Sequence, residues 1–547
     1  MPARRPTLTA LAALIAAATL VGGFAAGCGS ASQHAQATAA GFVRPHLESI
    51  FEDEHLLHTN PANAFEVMRR LGVDRMRVYI GWGYIAPDPK SRAQPASFNA
   101  ADPAAYPAAT MAIYDTIVRE AARHGVGIDM TVGGPAPLWG AGSGAPAGTP
   151  PQYQAVWKPS APEFGQFVRA IATRYDGRYT PPGATAPLPR VTFWSVWNEP
   201  NYGPDLAPQA TDHSTVEVSP ALYRGLLDAA WSALQATGHG HDTILIGETA
   251  PRGQTTGDQP GNFSGMVPLR FIRALYCVDD TFTPLHGADA TARGCPPDTA
   301  GSQQFTTAHP ALFAASGFAD HPYPQGQIPP NVPTPQEPDF ADLAALPNLE
   351  HTLDRARAAY GSHPTLPIYS TEFGFQTDPP EALSRAIDPV KAAYYMNWSE
   401  YISWRNPRLL SYDQYLLSDP PGANSLGGFA TGLRFFNGTP KATYPAYILP
   451  LYLPVAQAKR GQALEAWGAV RPARYAQLAT HAPQRAHLEF RASSAGAFQT
   501  VKTLTITDAD GYFDTPVSFG QTGTLRLAWT YPHGPTIYSR SVTVTIN

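Results

Sequence analysis

Cysteine and charge are both scarce in this 547-residue chain. It has three cysteines, Cys28, Cys277 and Cys295, and only 15% of its residues are charged. With two cysteines in the body and no histidine at finger-like spacing, a zinc-held fold is not expected. The net charge is −5, so the chain lacks the basic footprint of a nucleic-acid binder. No tandem repeat or heptad is present, which sets aside solenoids and coiled coils. Low charge combined with 11% aromatic residues excludes disorder and points to a folded chain rich in aromatic surface. The length leaves room for two or three domains. Proline is abundant: 56 residues, above the usual roughly 5%. The prolines gather between strand-like and helix-like segments, as expected of long, stiffened loops.

The one long apolar run lies at the start. Arg4 and Arg5 precede Leu8 to Ala26, which is followed by Gly27-Cys28, the pattern of an export signal. Small residues directly before Cys28 resemble a bacterial lipobox. Lipidation at Cys28 would then hold the protein at the outer face of the cytoplasmic membrane. Ala25 stands where a larger aliphatic residue is usual, so plain cleavage and secretion stay open. Residues 29–41 read as a tether. With Cys28 set aside, Cys277 and Cys295 form an even pair around a short loop, and export favours a disulfide between them. Two buried free thiols are the alternative.

Beyond the tether, strand-like and helix-like runs alternate over roughly 400 residues. Strands are expected at Leu47 to Phe51, Arg75 to Trp82, Val126 to Val132, Val191 to Val196, Thr243 to Gly247, Gly317 to Pro324, Leu366 to Ser370 and Leu409 to Leu417. Helices are expected between them, including Pro61 to Leu71, Met111 to His124, Pro162 to Tyr175, Pro220 to Thr237, Leu349 to Tyr360 and Ala392 to Trp404. Residues 251–315 read as a long insertion. This alternation predicts an α/β fold, a (β/α)8 TIM barrel with long loop insertions, over 42–455. Two-residue periodicity in the last stretch, as in Thr503-Leu504-Thr505-Ile506, predicts a small C-terminal β-sandwich over 456–547.

Two strands end on carboxylates. Phe193-Trp194-Ser195-Val196 runs into Trp197-Asn198-Glu199-Pro200-Asn201. Ile368-Tyr369-Ser370 runs into Thr371-Glu372-Phe373-Gly374. Proline cannot continue a central strand, so Glu199 sits where the strand becomes a loop. A charged group there needs a partner or a task. Thr243 to Gly247 ends on a third carboxylate, Glu248, read as supporting or structural.

Trp-Asn-Glu-Pro-Asn followed much later by Ser-Thr-Glu-Phe-Gly resembles the clan A retaining glycoside hydrolases, particularly the xylosidase and iduronidase branch; cellulase-like members carry a similar Asn-Glu-Pro. The resemblance implies a barrel with Glu199 as acid/base after strand four and Glu372 as nucleophile after strand seven. It further implies that Arg77 and Tyr323 hold the nucleophile, that His321 supports the site, and that Asn198 contacts the sugar 2-hydroxyl. Relatives often place a histidine after strand three. This chain has Gly-Gly-Pro-Ala-Pro-Leu-Trp139 instead, and Trp139 is a candidate stacking face. The function expected is hydrolysis of the O-glycosidic bonds of an oligo- or polysaccharide, of β-configuration, with carbohydrate as partner and no metal or organic cofactor. A transglycosylase using the same two glutamates and a non-catalytic sugar-binding lipoprotein are the alternatives.

Overall fold

The computed structural model describes residues 47–547 except 211–213, 257–259, 332–336, 423–428 and 493–495. The export signal, Cys28 and the tether lie outside the described residues. Eight strands alternate with helices: β1 (Glu48–Glu52), β2 (Arg75–Gly81), β3 (Gly127–Gly133), β4 (Phe193–Val196), β5 (Thr243–Thr249), β6 (Gly317–Asp320), β7 (Ile368–Ser370) and β8 (Ser411–Tyr415). All neighbouring pairs are parallel, in the order β7-β6-β5-β4-β3-β2-β1-β8. The ends of that order meet. Ile368 N–H donates to Arg408 O and Leu410 N–H to Ile368 O, both at 2.8 Å. The sheet therefore closes into a barrel, and no strand is left with an unpaired edge.

The crossover helices form where local chemistry starts and stops them. Pro61–Leu71 begins with the Asn60 side chain accepting from Asn63 N–H and Pro61 in the first turn, and ends at Gly72 with φ 83°. Phe65, Met68 and Leu71 are buried against the barrel. Gly72 has a second constraint: a Cβ there would lie 2.4 Å from the carbonyl carbon of Arg471. Residues 251–315, expected as an insertion, include four helices among the described residues. They contain the amphipathic crossover helix between β5 and β6, Pro268–Leu275, whose Leu269, Phe271, Ile272 and Leu275 are buried. Cys277 and Cys295 are disulfide-bonded just beyond it, with Cα atoms 5.7 Å apart.

After the barrel the chain forms two β-sheets. One orders Gln457–Ala458, Val542–Ile546, Gly523–Thr530, Gln484–Arg491 and Gln499–Ile506, with Thr536–Tyr538 at its side; the other pairs Tyr512–Ser518, Ala463–Ala469 and Leu451–Tyr452. A helix, Ala473–Thr480, interrupts the strands where only strands were expected. It docks against the chain entering β2: Tyr475 Oη donates to Val73 O at 2.7 Å, and Arg474 pairs with Asp74. Arg471 and the Tyr512 hydroxyl both bind Glu400 on the helix Pro389–Arg405, at 2.5 and 2.8 Å. Val73 and Asp74 lie at the N-terminal end of the barrel strands, the face opposite the carboxylates. The C-terminal sheets thus brace the bottom of the barrel.

Candidate active site

At the C-terminal ends of the strands lies a cavity of about 570 Å³ lined by Arg77, Asn198, Glu199, Tyr323 and Glu372 among others. Among the described residues, none beyond Phe429 lines it, so the C-terminal sheets contribute nothing to its wall.

Glu199 is placed by an unusual stretch of backbone. Trp197 and Glu199 have φ of 75° and 37°, a region that costs non-glycine residues about 1–3 kcal/mol each and persists only where surroundings enforce it. Here they do. Trp197 N–H donates to Val132 O and Glu199 N–H to Glu248 O, both at 2.8 Å. The Trp197 ring is buried against Phe164, 5.2 Å between centroids. Gly134 makes room for it, since a Cβ there would stand 2.8 Å from that ring. Asn201 locks the far side: its amide donates to Ala250 O and Met266 O at 2.9 Å each and accepts from Ala250 N–H at 2.8 Å. The second asparagine of Asn-Glu-Pro-Asn is thus a buried staple.

Glu372 takes its partners from β2 and from the chain just after β6. Arg77 Nη1 donates to its Oε1 at 2.6 Å, Tyr323 Oη donates to Oε2 at 3.1 Å, and His321 Nδ1 lies 3.5 Å from Oε2. Burial, then the Glu372 charge, pushes the Tyr323 phenol well above its ordinary value, so it stays a donor. Arg77 is buried and fully engaged at its forked end. Nη1 also reaches Glu52 at 2.5 Å, and Nη2 reaches Asn198 Oδ1 at 2.9 Å and Glu248 Oε2 at 3.0 Å. The sequence expectation did not include Glu52. Its signal was available, because Ile50-Phe51-Glu52 is a fourth apolar strand ending on a carboxylate.

Glu248 ties the halves of the site together. Its Oε2 accepts from Arg77, from His321 Nε2 at 2.9 Å and from Thr371 Oγ1 at 2.9 Å. Burial alone would raise its pKa; Arg77 and His321 outweigh that and bring it down to about 2. His321 spans the gap to the first carboxylate, with Nδ1 3.0 Å from Glu199 Oε1. Burial works against its charge, but Glu372, Glu199 and Glu248 hold its pKa well above the ordinary histidine value. One oxygen of Glu199, one of Glu372 and a ring nitrogen of His321 all fall within 4.8 Å of one another, a geometry a cation could use. An imidazolium has no lone pair to give, and both nitrogens of His321 already face carboxylates, so the set fits a hydrogen-bonded network better than a metal.

Trp139 stands elsewhere. It does not line the cavity; its ring packs edge-on against Trp82 and against Phe98, and Nε1 donates to Pro87 O at 3.1 Å. The expected stacking face is therefore corrected: the loop after β3 turns this aromatic inward to cover Trp82. The aromatic surface of the cavity comes instead from Tyr79, Tyr84, Tyr202, Tyr415 and Phe429, with Tyr84 65% and Tyr202 42% exposed.

One group beside the site sets a pH expectation. Asp320 ends β6, fully buried, with Thr249 Oγ1 donating to Oδ1 at 2.6 Å and no hydrogen-bond partner at Oδ2. Burial pushes its pKa up to about 8, against about 3.9 unfolded. The folded state therefore holds a proton that the unfolded chain has lost between these values. The contribution of Asp320 to stability is full below about pH 4 and is lost as pH rises through about 8. Asp320→Asn should flatten that decline, read as denaturant midpoints from pH 4 to 9. An unchanged slope would show that Asp320 ionises normally.

No protein-family model matches the chain, and no curated protein matches it. Solved structures of similar fold include a family 39 glycoside hydrolase from the gut symbiont Bacteroides cellulosilyticus, with 13% identity over 87% of this chain and 79% of that one, TM-score 0.43. A glucosidase from Croceicoccus marinus shares 12% identity over 91% and 96%, TM-score 0.45. A family 30 endoxylanase from Clostridium papyrosolvens shares 11% over 87% and 95%, TM-score 0.43. The barrel itself rests on the strand pairing described above.

Proposed function

We propose that the protein is a retaining glycosidase that cleaves O-glycosidic bonds of an oligo- or polysaccharide. The observation that carries this reading is the approach of Glu199 and Glu372, whose nearer oxygens lie within 4.8 Å at the mouth of the barrel. Retaining enzymes hold their carboxyls about 5–5.5 Å apart, whereas inverting ones leave about 6.5–9.5 Å for a water. The strand-end motifs, similar to those of clan A, support the same assignment of roles.

In the first step the Glu372 carboxylate attacks the anomeric carbon while the bond to the leaving oxygen breaks and that oxygen takes the proton of Glu199. The product is a glycosyl ester on Glu372. In the second step Glu199, now a carboxylate, removes a proton from water, and the water oxygen displaces Glu372. Arg77 and Tyr323 donate to the two oxygens of Glu372. They stabilise its charge before attack and again as it leaves the sugar. Glu199 differs in its surroundings: its described side-chain partner is His321, which also binds Glu248 and so links the acid/base to the cluster around Arg77.

A panel of aryl β-glycosides tests the activity, and NMR of the first-formed sugar tests the stereochemistry. The retained anomer is expected. An inverted anomer would set aside the double displacement, and no hydrolysis anywhere in the panel would remove the glycosidase reading.

A further inference from the structure

Arg385 belongs to the cavity wall but serves none of the groups above. It is an exposed residue on the loop after Glu372, and its Nε donates to Gln376 Oε1 at 2.5 Å. Gln376 is buried, and its own orientation is fixed because Nε2 donates to Glu381 Oε2 at 2.7 Å. Glu381 is buried in turn and accepts from Ala430 N–H at 2.7 Å. An amide that donates at one end must accept at the other, so this chain of two buried side chains aims the guanidinium from behind. Among the described residues its terminal nitrogens carry no hydrogen bond, and no carboxylate lies within ion-pair distance of it.

A second guanidinium stands on the same wall. Arg252, after β5, donates through Nη2 to Asp342 Oδ2 at 2.9 Å and lies 5.3 Å over the Phe340 ring. Arg252 and Arg385 follow β5 and β7, so the cationic side of the cavity is the sector from β5 to β7. The acidic side is formed by Glu52 at the end of β1, by Glu54 just after it and by Asp205 after β4. It repels an anion less than its composition suggests. Burial brings Glu52 up to about 8, and burial followed by the nearby Glu199 charge lifts Asp205 well above the ordinary carboxylate value. Burial also raises Glu54. Glu372 is matched by Arg77 and His321. Among the described residues, Arg385 is the cation of the cavity wall with no carboxylate partner, since Arg77 and Arg252 are both paired.

We infer that Arg385, assisted by Arg252, recognises an anionic substituent on the glycan, a uronate carboxylate or a sulfate ester. This rests on the glycosidase reading. Guanidinium meets either group through paired N–H donors, and such charge-assisted contacts are stronger than those to sugar hydroxyls. The neutral lining elsewhere, Tyr84, Tyr202 and Phe429, suits the apolar faces of the rings.

Binding is measured by calorimetry on the whole protein, so the result does not depend on turnover. The probes are D-glucuronate, glucose 6-sulfate and glucose, each at low and high salt. At least one anionic sugar should bind about tenfold to a hundredfold more tightly than glucose, the range expected for one hydrogen-bonded charge pair. High salt should reduce the advantage. Arg385→Gln should remove it, and Arg385→Lys should retain part of it, because charge survives while the fork is lost. Which of the two anionic sugars leads assigns the substituent. Equal binding of all three sugars, or an anionic preference unchanged in Arg385→Gln, would overturn the inference. Hydrolysis of the neutral aryl glycosides is scored separately. Its absence would remove the proposed activity while leaving any anion preference in place.

Discussion

Glu372→Gln is expected to reduce turnover to background while leaving the protein folded. The substitution keeps the shape of the side chain and removes only its charge and nucleophilicity. An amide oxygen does not attack an anomeric carbon, so no glycosyl-enzyme forms, even from substrates with excellent leaving groups. The fold should survive because Arg77 is not orphaned. It keeps Glu52, Glu248 and Asn198 at 2.5, 3.0 and 2.9 Å. Removing one partner of a buried pair is severe only when it leaves an uncompensated charge. Mass spectrometry after mixing with an activated aryl glycoside should show no added sugar, and thermal unfolding should be close to wild type. Full activity in this variant would exclude Glu372 as the nucleophile.

Much of this barrel was legible because each strand and helix carries its own signal. Pro61–Leu71 has a capping asparagine, a proline in its first turn and a glycine after its end, and the structure keeps those bounds. The two motif glutamates were legible because a carboxylate at the end of an apolar strand needs an explanation. What could not be read is which side chains meet across the barrel. Arg77 lies on β2 and touches residues at the C-terminal ends of β1, β4, β5 and β7. No spacing in the sequence records that convergence, so Glu52 was passed over despite ending a strand as Glu199 and Glu372 do. Trp139 failed for a related reason. A loop tryptophan has no periodicity to say which way it faces, and the apolar surface of Trp82 captured it. The helix Ala473–Thr480 is short and set among alternating strands, so tertiary contacts through Tyr475 and Arg474 define it more than its local pattern does. Asn201 was quoted within the motif, yet its role as a staple depends on the carbonyls of Ala250 and Met266.

Glu199→Ala is expected to divide substrates by leaving group. Loss of a general acid costs about 10²–10⁴-fold where the leaving oxygen must be protonated in the transition state. Natural glycans and alkyl glycosides fall in that class. Activated aryl glycosides leave without help, so their first step should persist, and the glycosyl-enzyme on Glu372 should accumulate because no base remains to activate water. Azide needs no deprotonation and can enter the vacated space. It should restore turnover and yield a glycosyl azide of retained configuration. The structure adds one complication. His321 Nδ1 loses its 3.0 Å partner in Glu199, and its nearest remaining carboxylate is Glu372, at 3.5 Å. A tighter imidazolium contact there would make the nucleophile less reactive and slow even activated substrates modestly. Glu199→Gln separates the two effects, because its amide oxygen can still accept from His321 while no proton is available for the leaving group. Activated substrates should therefore react faster with Glu199→Gln than with Glu199→Ala in the first step, and unactivated glycosides should be poor with both. Pre-steady-state bursts across a series of leaving groups measure this directly. A loss of equal size for every leaving group, with no response to azide, would remove Glu199 from the acid/base role.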